Sequence, residues 1–252
     1  MKTQRNGPLQ NKSALVTGGS RGIGAGIVRR LARDGAVVTF TYVASEQRAK
    51  LLEQEVASFG GKALPIRADS TSDTMLQGAI DYAADTVGSL DIFVSNAGIF
   101  KVGTVEEFTV EEFDRMVAIN LRSAFVGIQG ALRRMQNGGR VITIGSSVAN
   151  RVTFPGASVY CMTKAALQGL VRGLAVDVAP RAITVNNVQP GPIATDINPA
   201  DGTGAAEDLQ RMIPLGRYGT DEEIASMVAY LCSTQAGFVT GASLTADGGY
   251  GS

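Results

Sequence analysis

The sequence predicts a single doubly wound α/β domain, on three observations. Short β-branched runs alternate with longer amphipathic stretches from end to end. A glycine-rich turn at 17–24 joins the first strand to the first helix. No internal repeat, low-complexity tract or linker divides the chain. Such alternation implies parallel strands joined by right-handed crossovers, with helices covering both faces of the sheet. At 252 residues the chain can bury a sizeable core without disulfides.

Taken in order, residues 1–11 read as a polar tail and 12–252 as the domain. About seven mainly parallel strands are expected, at 14–17, 37–41, 63–66, 92–95, 141–145, 184–188 and 243–245. Six helices are expected, at about 23–34, 45–59, 72–87, 110–135, 158–179 and 221–232. Gly35 follows the first helix, Gly60-Gly61 the second and Gly138-Gly139 the fourth, where C-terminal caps belong. Thr109 with Glu112 makes a capping-box pattern before the fourth helix. Pro190 to about Gly204, rich in Pro and Gly, reads as a mobile loop with a short helix after it.

Composition removes whole classes of chemistry. The chain has no histidine, so it holds no Ser-His-Asp or Cys-His nucleophile system and no His-ligated metal. Proton transfer must fall to Tyr, Lys, Asp, Glu, Cys or a bound water. Lys and Arg number 23, as do Asp and Glu, and this balance suggests neither a nucleic-acid partner nor an anionic membrane surface. No apolar run approaches the ~18 residues that span a bilayer, and the N-terminus lacks the apolar segment of a signal peptide. Cys161 and Cys232 form no CxxC pair, so neither a disulfide framework nor a zinc site is expected. A cytoplasmic protein is the expectation.

The turn Thr17-Gly18-Gly19-Ser20-Arg21-Gly22-Ile23-Gly24 lies where backbone can approach a pyrophosphate at a helix N-terminus. Its spacing, TGxxxGxG, differs from GxGxxG, because Ile27 stands at the third glycine. An NAD site usually carries an acid about 20 residues on, for the adenosine ribose. Here the second strand ends Thr41-Tyr42-Val43-Ala44-Ser45, with no carboxylate until Glu46. Arg21, with hydroxyls from Thr41 or Ser45, would instead hold a 2′-phosphate, so NADP(H) is the expected cofactor. Three further fragments fit a dinucleotide running along the strand ends. They are Ala68-Asp69-Ser70 near adenine, Asn96-Ala97-Gly98 near the ribose, and Pro190-Gly191 with Thr195 near the nicotinamide carboxamide.

Tyr160 and Lys164 are four apart at the start of a helix, so both project from one face. An ammonium within a few Å lowers a tyrosine pKa from about 10 and makes the phenol a usable acid near neutrality. Ser147, 13 residues before Tyr160, could bond a substrate oxygen, and its neighbour Ser146 competes for that role. Asn120, in the apolar stretch Val117-Ala118-Ile119-Asn120-Leu121, reads as a satisfied core amide or as the holder of a water beside the lysine.

The chain from about 12 to 249 resembles the short-chain dehydrogenases/reductases. The matching pieces are TGGSRGIG, Ala68-Asp69, Asn96-Ala97-Gly98, Asn120, Gly145-Ser146-Ser147, Tyr160–Lys164, PGPIATD at 190–196 and LTADGG. In sub-type it is similar to NADPH-dependent ketoreductases related to 3-oxoacyl-carrier-protein reductases. The resemblance implies a Rossmann-like fold, Ile193 among the cofactor residues, and reversible hydride transfer between nicotinamide and a carbonyl carbon. It also implies roles: Ser147 orients the carbonyl oxygen and Tyr160 protonates it. Lys164 tunes Tyr160 and binds the nicotinamide ribose, and Asn120 holds a relay water.

It further implies that 193–213 is a substrate lid, with Asp201-Gly202-Thr203-Gly204-Ala205-Ala206 as its Gly- and Ala-rich part, and that the protein is a homotetramer or homodimer. Ile99, Phe100, Val148, Val152 and Phe154 are candidate pocket walls for a neutral ketone or aldehyde. Ala165, Ala166, Leu167, Leu170, Val171, Leu174 and Val178 give the fifth long helix broad apolar cover that suits a subunit contact. The competing functions are a non-catalytic NADP-binding regulator and an NAD-dependent alcohol dehydrogenase.

Overall fold

β-Branched runs flanked by glycine turns form the seven strands β1 (Ser13–Val16), β2 (Val37–Tyr42), β3 (Lys62–Arg67), β4 (Leu90–Ser95), β5 (Met135–Ile144), β6 (Thr184–Pro190) and β7 (Ser243–Ala246). They make one sheet in the order β3-β2-β1-β4-β5-β6-β7, and every neighbouring pair is parallel. This is a computed structural model and describes residues 7–196, 198–200 and 202–252. Strand order reverses between β1 and β4, which opens a crevice at the carboxyl edge of the sheet.

Two apolar layers sandwich the sheet. On one face α1 (Gly22–Arg33), α2 (Glu46–Ser58) and α8 (Asp221–Cys232) bury Ile27, Leu31, Leu52 and Val228 around Phe40. On the other, α3 (Asp73–Val87), α5 (Ser123–Arg134) and α6 (Ser158–Val178) bury Leu76, Ile80, Ile128 and Val171 around Phe93. Glycines permit the tightest contacts: a Cβ on Gly127 would lie 2.6 Å from the Phe93 ring.

The expected long fourth helix is broken. It comprises α4 (Val110–Val117), a π-helical turn over Ala118–Arg122 that carries Asn120, and α5. The Thr109–Glu112 capping box forms as expected, and a second one, Thr220–Glu223, opens α8. Gly138-Gly139 does not cap the helix. The chain turns extended at Met135, and left-handed Gly138 (φ 85°) lies inside β5, whose pairing shifts between Leu90 and Ile92. Among its described residues the expected lid contains one helix, α7 (Gly204–Arg211); Ile197 and Asp201 lie outside the described residues.

Residues 1–6 of the expected tail also lie outside the described residues, but the tail boundary at 11 is too late. Leu9 is 2% exposed, packs into the α1-side core, and donates its N–H to Asp34 O at 2.8 Å. Leu9→Ala is expected to lower unfolding free energy by about 2–4 kcal/mol in urea denaturation. A loss below about 0.5 kcal/mol, the level of a surface change, would place residues 7–11 outside the cooperative unit.

Candidate active site

The glycine turn is built by the strands beside it. Thr17 Oγ1 accepts the N–H groups of Asn96 and Ala97 at 3.0 Å each, and Asn96 Nδ2 returns bonds to Thr17 O and Gly18 O at 2.9 and 3.0 Å. From the other side, Thr41 Oγ1 takes the Gly18 N–H at 3.0 Å and Thr41 O takes that of Gly19 at 2.9 Å. Gly18 and Gly22 need left-handed backbone (φ 64° and 50°), and a Cβ on Gly24 would meet Gly18 O at 2.4 Å. The result is a cradle of bare backbone at the N-terminus of α1, whose N-cap residue, Arg21, offers no side-chain cap. Half-buried Ser20, Gly22 and Ile23 line it. Such a terminus suits a pyrophosphate.

At the strand ends beyond it, the expected cofactor residues divide. Arg21 is exposed and forms no ion pair among the described residues, and Ser45 is the N-cap of α2 with its hydroxyl not spent on the cap. Thr41 cannot serve as a phosphate ligand: it is 1% exposed and its hydroxyl holds the glycine turn. Tyr42, half-buried, lends its carbonyl to Ala68 N at 2.9 Å. Asp69 Oδ1 is occupied by the Thr71 N–H and hydroxyl at 2.9 and 2.8 Å, and Ala68 and Ser70 are buried. After β6, Pro190 is buried, and Gly191 passes Asp247 so closely that a Cβ would approach within 2.4 Å. Ile193 bridges to Gly219, and Thr195 reaches back until its Cγ2 is 3.3 Å from a Cβ placed on Gly22. Arg48 of α2 pairs with Asp196 of this segment, a contact absent from the sequence reading.

The catalytic candidates meet at the carboxyl ends of β4 and β5. Lys164 is 5% exposed, and its Nζ donates to Ile144 O at 2.9 Å. Asn120 is 2% exposed and pairs with the Ile99 backbone at both ends: Oδ1 accepts Ile99 N–H at 2.8 Å and Nδ2 donates to Ile99 O at 3.0 Å. A Cβ on Gly98 would lie 3.4 Å from both Asn120 Oδ1 and Lys164 Nζ, so glycine there lets the amide and the ammonium flank one point.

Two expectations are corrected at this cluster. The hydroxyl that acts on the Tyr160 phenol is that of Ser146, which works against the upward shift of its pKa. Ser147 is 2% exposed and begins the 3-10 turn after β5, with its Cβ 3.9 Å from a Cβ placed on Gly251. Ser146 is the N-cap of that turn, and its Oγ accepts the Val148 N–H at 3.3 Å. The sequence favours Ser147 with Ser146 as its competitor, and it is Ser146 that acts on the Tyr160 phenol. Secondly, Tyr160 is not shifted downward. Burial raises its pKa above the usual 10, and the Ser146 hydrogen bond offsets this only in part, while Lys164 Nζ stands 5.8 Å from the ring centroid. Burial also brings Lys164 down to about 8.

Above this cluster the Phe100 ring sits edge-on to Tyr160 (centroids 4.8 Å) and to Phe154 (6.3 Å). Ile99 is half-buried beside them; Val148 is core and Val152 is exposed. In the expected lid, Ala206, Ile213 and Leu209 pack with Tyr218 and Tyr250. On α6, Leu167, Val171 and Val178 serve the chain's own core, while Ala165, Ala166, Leu170 and Leu174 are half-buried.

A parallel sheet with a glycine cradle at its switch point, and a Ser–Tyr–Lys–Asn cluster at the same edge, is the build of a nicotinamide-dinucleotide oxidoreductase. The chain belongs to the short-chain dehydrogenase/reductase family: the family profile described as enoyl-(acyl carrier protein) reductase matches residues 18–251. A short-chain dehydrogenase/reductase from Serratia marcescens BCRC 10948 is 54% identical with a TM-score of 0.95, the match covering 97% of this chain and 100% of that one. A short-chain dehydrogenase from Burkholderia cenocepacia J2315, solved in complex with NADP, is 42% identical with a TM-score of 0.94 over 97% and 100% of the two chains. The cyclic-di-GMP-binding biofilm dispersal mediator protein of Escherichia coli K12 is 43% identical over 97% of this chain and 99% of its own length. No helix among the described residues is long and apolar enough to cross a membrane.

The Lys164 shift has a sign that can be measured. With a native pKa of about 8 against 10.5 for an ordinary lysine, the unfolded chain holds a proton that the native state releases between those pH values. Stability therefore rises with pH across that window, and the full penalty, about 3 kcal/mol, stands below it. Urea unfolding of wild type and Lys164→Met at pH 7.5 and 10 is expected to show wild type gaining on the variant by about 2–3 kcal/mol at the higher pH. A pH-independent difference would mean the ammonium is not desolvated.

Proposed function

We propose that the protein reduces a ketone or aldehyde to the alcohol with NADPH, reversibly, with Tyr160 as general acid and base. The observation that carries this reading is the cluster at the end of β5, where Tyr160, with Ser146 acting on its phenol, lies beside the buried Lys164, whose Nζ is held by Ile144 O. The backbone cradle at Gly18–Gly24 suits the pyrophosphate, and exposed Arg21 with Ser45 suits a 2′-phosphate where no acid stands. NADPH, when bound, supplies hydride to the carbonyl carbon.

The side chains supply the rest. Ser146 Oγ accepts the Val148 N–H, which anchors the hydroxyl, and its single proton, shared between the Tyr160 oxygen and an incoming carbonyl, would turn to the carbonyl oxygen when substrate binds. Tyr160, its pKa raised, is fully protonated at neutral pH and gives that proton to the developing alkoxide. The Lys164 ammonium stabilises the phenolate left behind, in a site dry enough for the charge to matter. Asn120 Oδ1, facing the same point as Lys164 Nζ across Gly98, borders the route by which Tyr160 recovers its proton. The Phe100 ring, edge-on to Tyr160 and backed by Phe154, favours an uncharged, apolar carbonyl compound. We further propose a cytoplasmic homotetramer or homodimer, in which the half-buried Ala165 and Ala166 of α6 would lie at the subunit contact.

One observation favours a second reading, an NADPH-holding regulator: the likeness to the cyclic-di-GMP-binding E. coli protein. Oxidation of NADPH against a panel of ketones and aldehydes separates the two. Turnover that Tyr160→Phe lowers by at least about 100-fold supports the reductase; tight NADPH binding with no carbonyl reduced supports the regulator. Ser146→Ala is expected to lower kcat by about 100-fold, the scale of one lost transition-state donor, and Ser147→Ala by less than about threefold. The reverse ranking would return the role to Ser147. Arg21→Ala is expected to raise KM for NADPH about tenfold or more, leaving NADH use nearly unchanged. Equal losses with both cofactors would remove Arg21 from the 2′-phosphate site.

A further inference from the structure

Between the π-helical turn and the first turn of α6 lies a hydroxyl with no part in the reaction above. Thr163 is completely buried. Its Oγ1 donates to Tyr160 O at 2.8 Å and accepts from Asn120 Nδ2 at 3.2 Å.

We propose that Thr163 is a positioning residue for this site, fixing the Asn120 carboxamide and locking the π-helical turn onto the Tyr160 turn of α6. A primary amide has two N–H donors and an oxygen with two lone pairs. Ile99 O and Thr163 Oγ1 take both donors of Asn120, and Ile99 N–H takes one oxygen site. The remaining capacity of Oδ1 lies on the Gly98 side, toward Lys164.

The Thr163 hydroxyl imposes a direction on this arrangement. It owns one proton, and the Tyr160 carbonyl receives it, so toward Asn120 it can only accept. A flipped carboxamide would set Oδ1 against both the hydroxyl lone pairs and Ile99 O. Thr163 thus selects the orientation in which oxygen, not nitrogen, faces the lysine. It also closes a chain of bonds, Ile99–Asn120–Thr163–Tyr160, that ties the segment after β4, the π-helical turn and α6 together. The bond to the i−3 carbonyl is a local one that a threonine makes within its own helix turn.

The kinetic part of this inference rests on the reductase reading; the geometric part does not. Thr163→Val keeps the shape and removes the hydroxyl, Thr163→Ser restores the hydroxyl, and Thr163→Ala removes it without bulk. Two readouts apply to each. One is NADPH-dependent carbonyl reduction, with kcat and KM separated and kcat followed against pH. The other is hydrogen exchange of the Asn120 side-chain amide in protein labelled with ¹⁵N-asparagine, its signal identified by its loss in Asn120→Ala.

Thr163→Val is expected to lower kcat about tenfold, the effect of one buried donor left unpaired. KM for NADPH should stay within about twofold, and Asn120 amide exchange should accelerate by about tenfold or more. Thr163→Ser should recover both. Should the valine variant fail to fold, the alanine variant decides on the same readouts. Unchanged kcat and exchange without the hydroxyl would overturn the inference, as would a serine variant as impaired as valine, which would assign the effect to packing. Wild type without turnover would end the reductase reading and leave the exchange result to decide the role of Thr163.

Discussion

The active edge depends on one constraint, the burial of the Lys164 ammonium. A cation withdrawn from water must be surrounded by oxygen or surrender its proton, and the chain does part of each. Ile144, the last residue of β5, supplies a carbonyl at 2.9 Å. Glycine at 98 leaves space beside both groups, since a Cβ there would touch Nζ and Asn120 Oδ1 at 3.4 Å each. Asn120 reaches that point because the helix carrying it widens into a π-helical turn. Such turns cluster at functional positions, since they displace one side chain from the regular helix surface. Lys164 thereby links the end of β5, the end of β4 and two helices into one unit.

The cofactor side answers to a different requirement, a backbone with nothing in front of it. Side chains that would ordinarily face a ligand here face the glycine turn instead. Thr17, Thr41 and Asn96 all spend their polar atoms on main-chain groups of that turn or its neighbours. Their common action leaves the α1 N-terminus open while fixing the path of the loop that approaches it. Thr195, arriving from the segment after β6, closes against Gly22 and so couples that segment to the cradle.

Strand and helix placement was largely legible in the sequence because alternation and glycine punctuation act locally, and the strands lie near where they are expected, except that β5 begins six residues early, at Met135. The misreadings came where a local signal had two meanings. Gly138-Gly139 looks like a helix cap, but the strand beside it needs a left-handed residue for its register shift. Leu9 sits in a polar stretch, and only the tertiary position of Asp34 draws it inward. The sequence favours Ser147 over its neighbour Ser146, but a one-residue change in turn phase exchanges which hydroxyl faces Tyr160, and here Ser146 acts on it. Thr163 was present in the Tyr160–Lys164 motif, yet its partner lies 43 residues away in sequence on a π-helical turn that periodicity does not reveal.

The electrostatics also bear on whether this site reacts or merely binds. Holding a dinucleotide requires the cradle, the strand ends, a cation for the 2′-phosphate and, as the family resemblance implies, Lys164 on the nicotinamide ribose, but it does not require the desolvated Tyr160 phenol. Lys164 depresses native stability at neutral pH, since its proton is held less tightly in the fold than in the unfolded chain. Tyr160 is likewise desolvated, with a hydroxyl bonded to Ser146 that any buried apolar residue would replace at less expense in free energy. A methionine and a phenylalanine would fill the same volume. Two polar groups kept against their own solvation, close to each other and to a third hydroxyl, are what the proposed alkoxide-forming reaction would use.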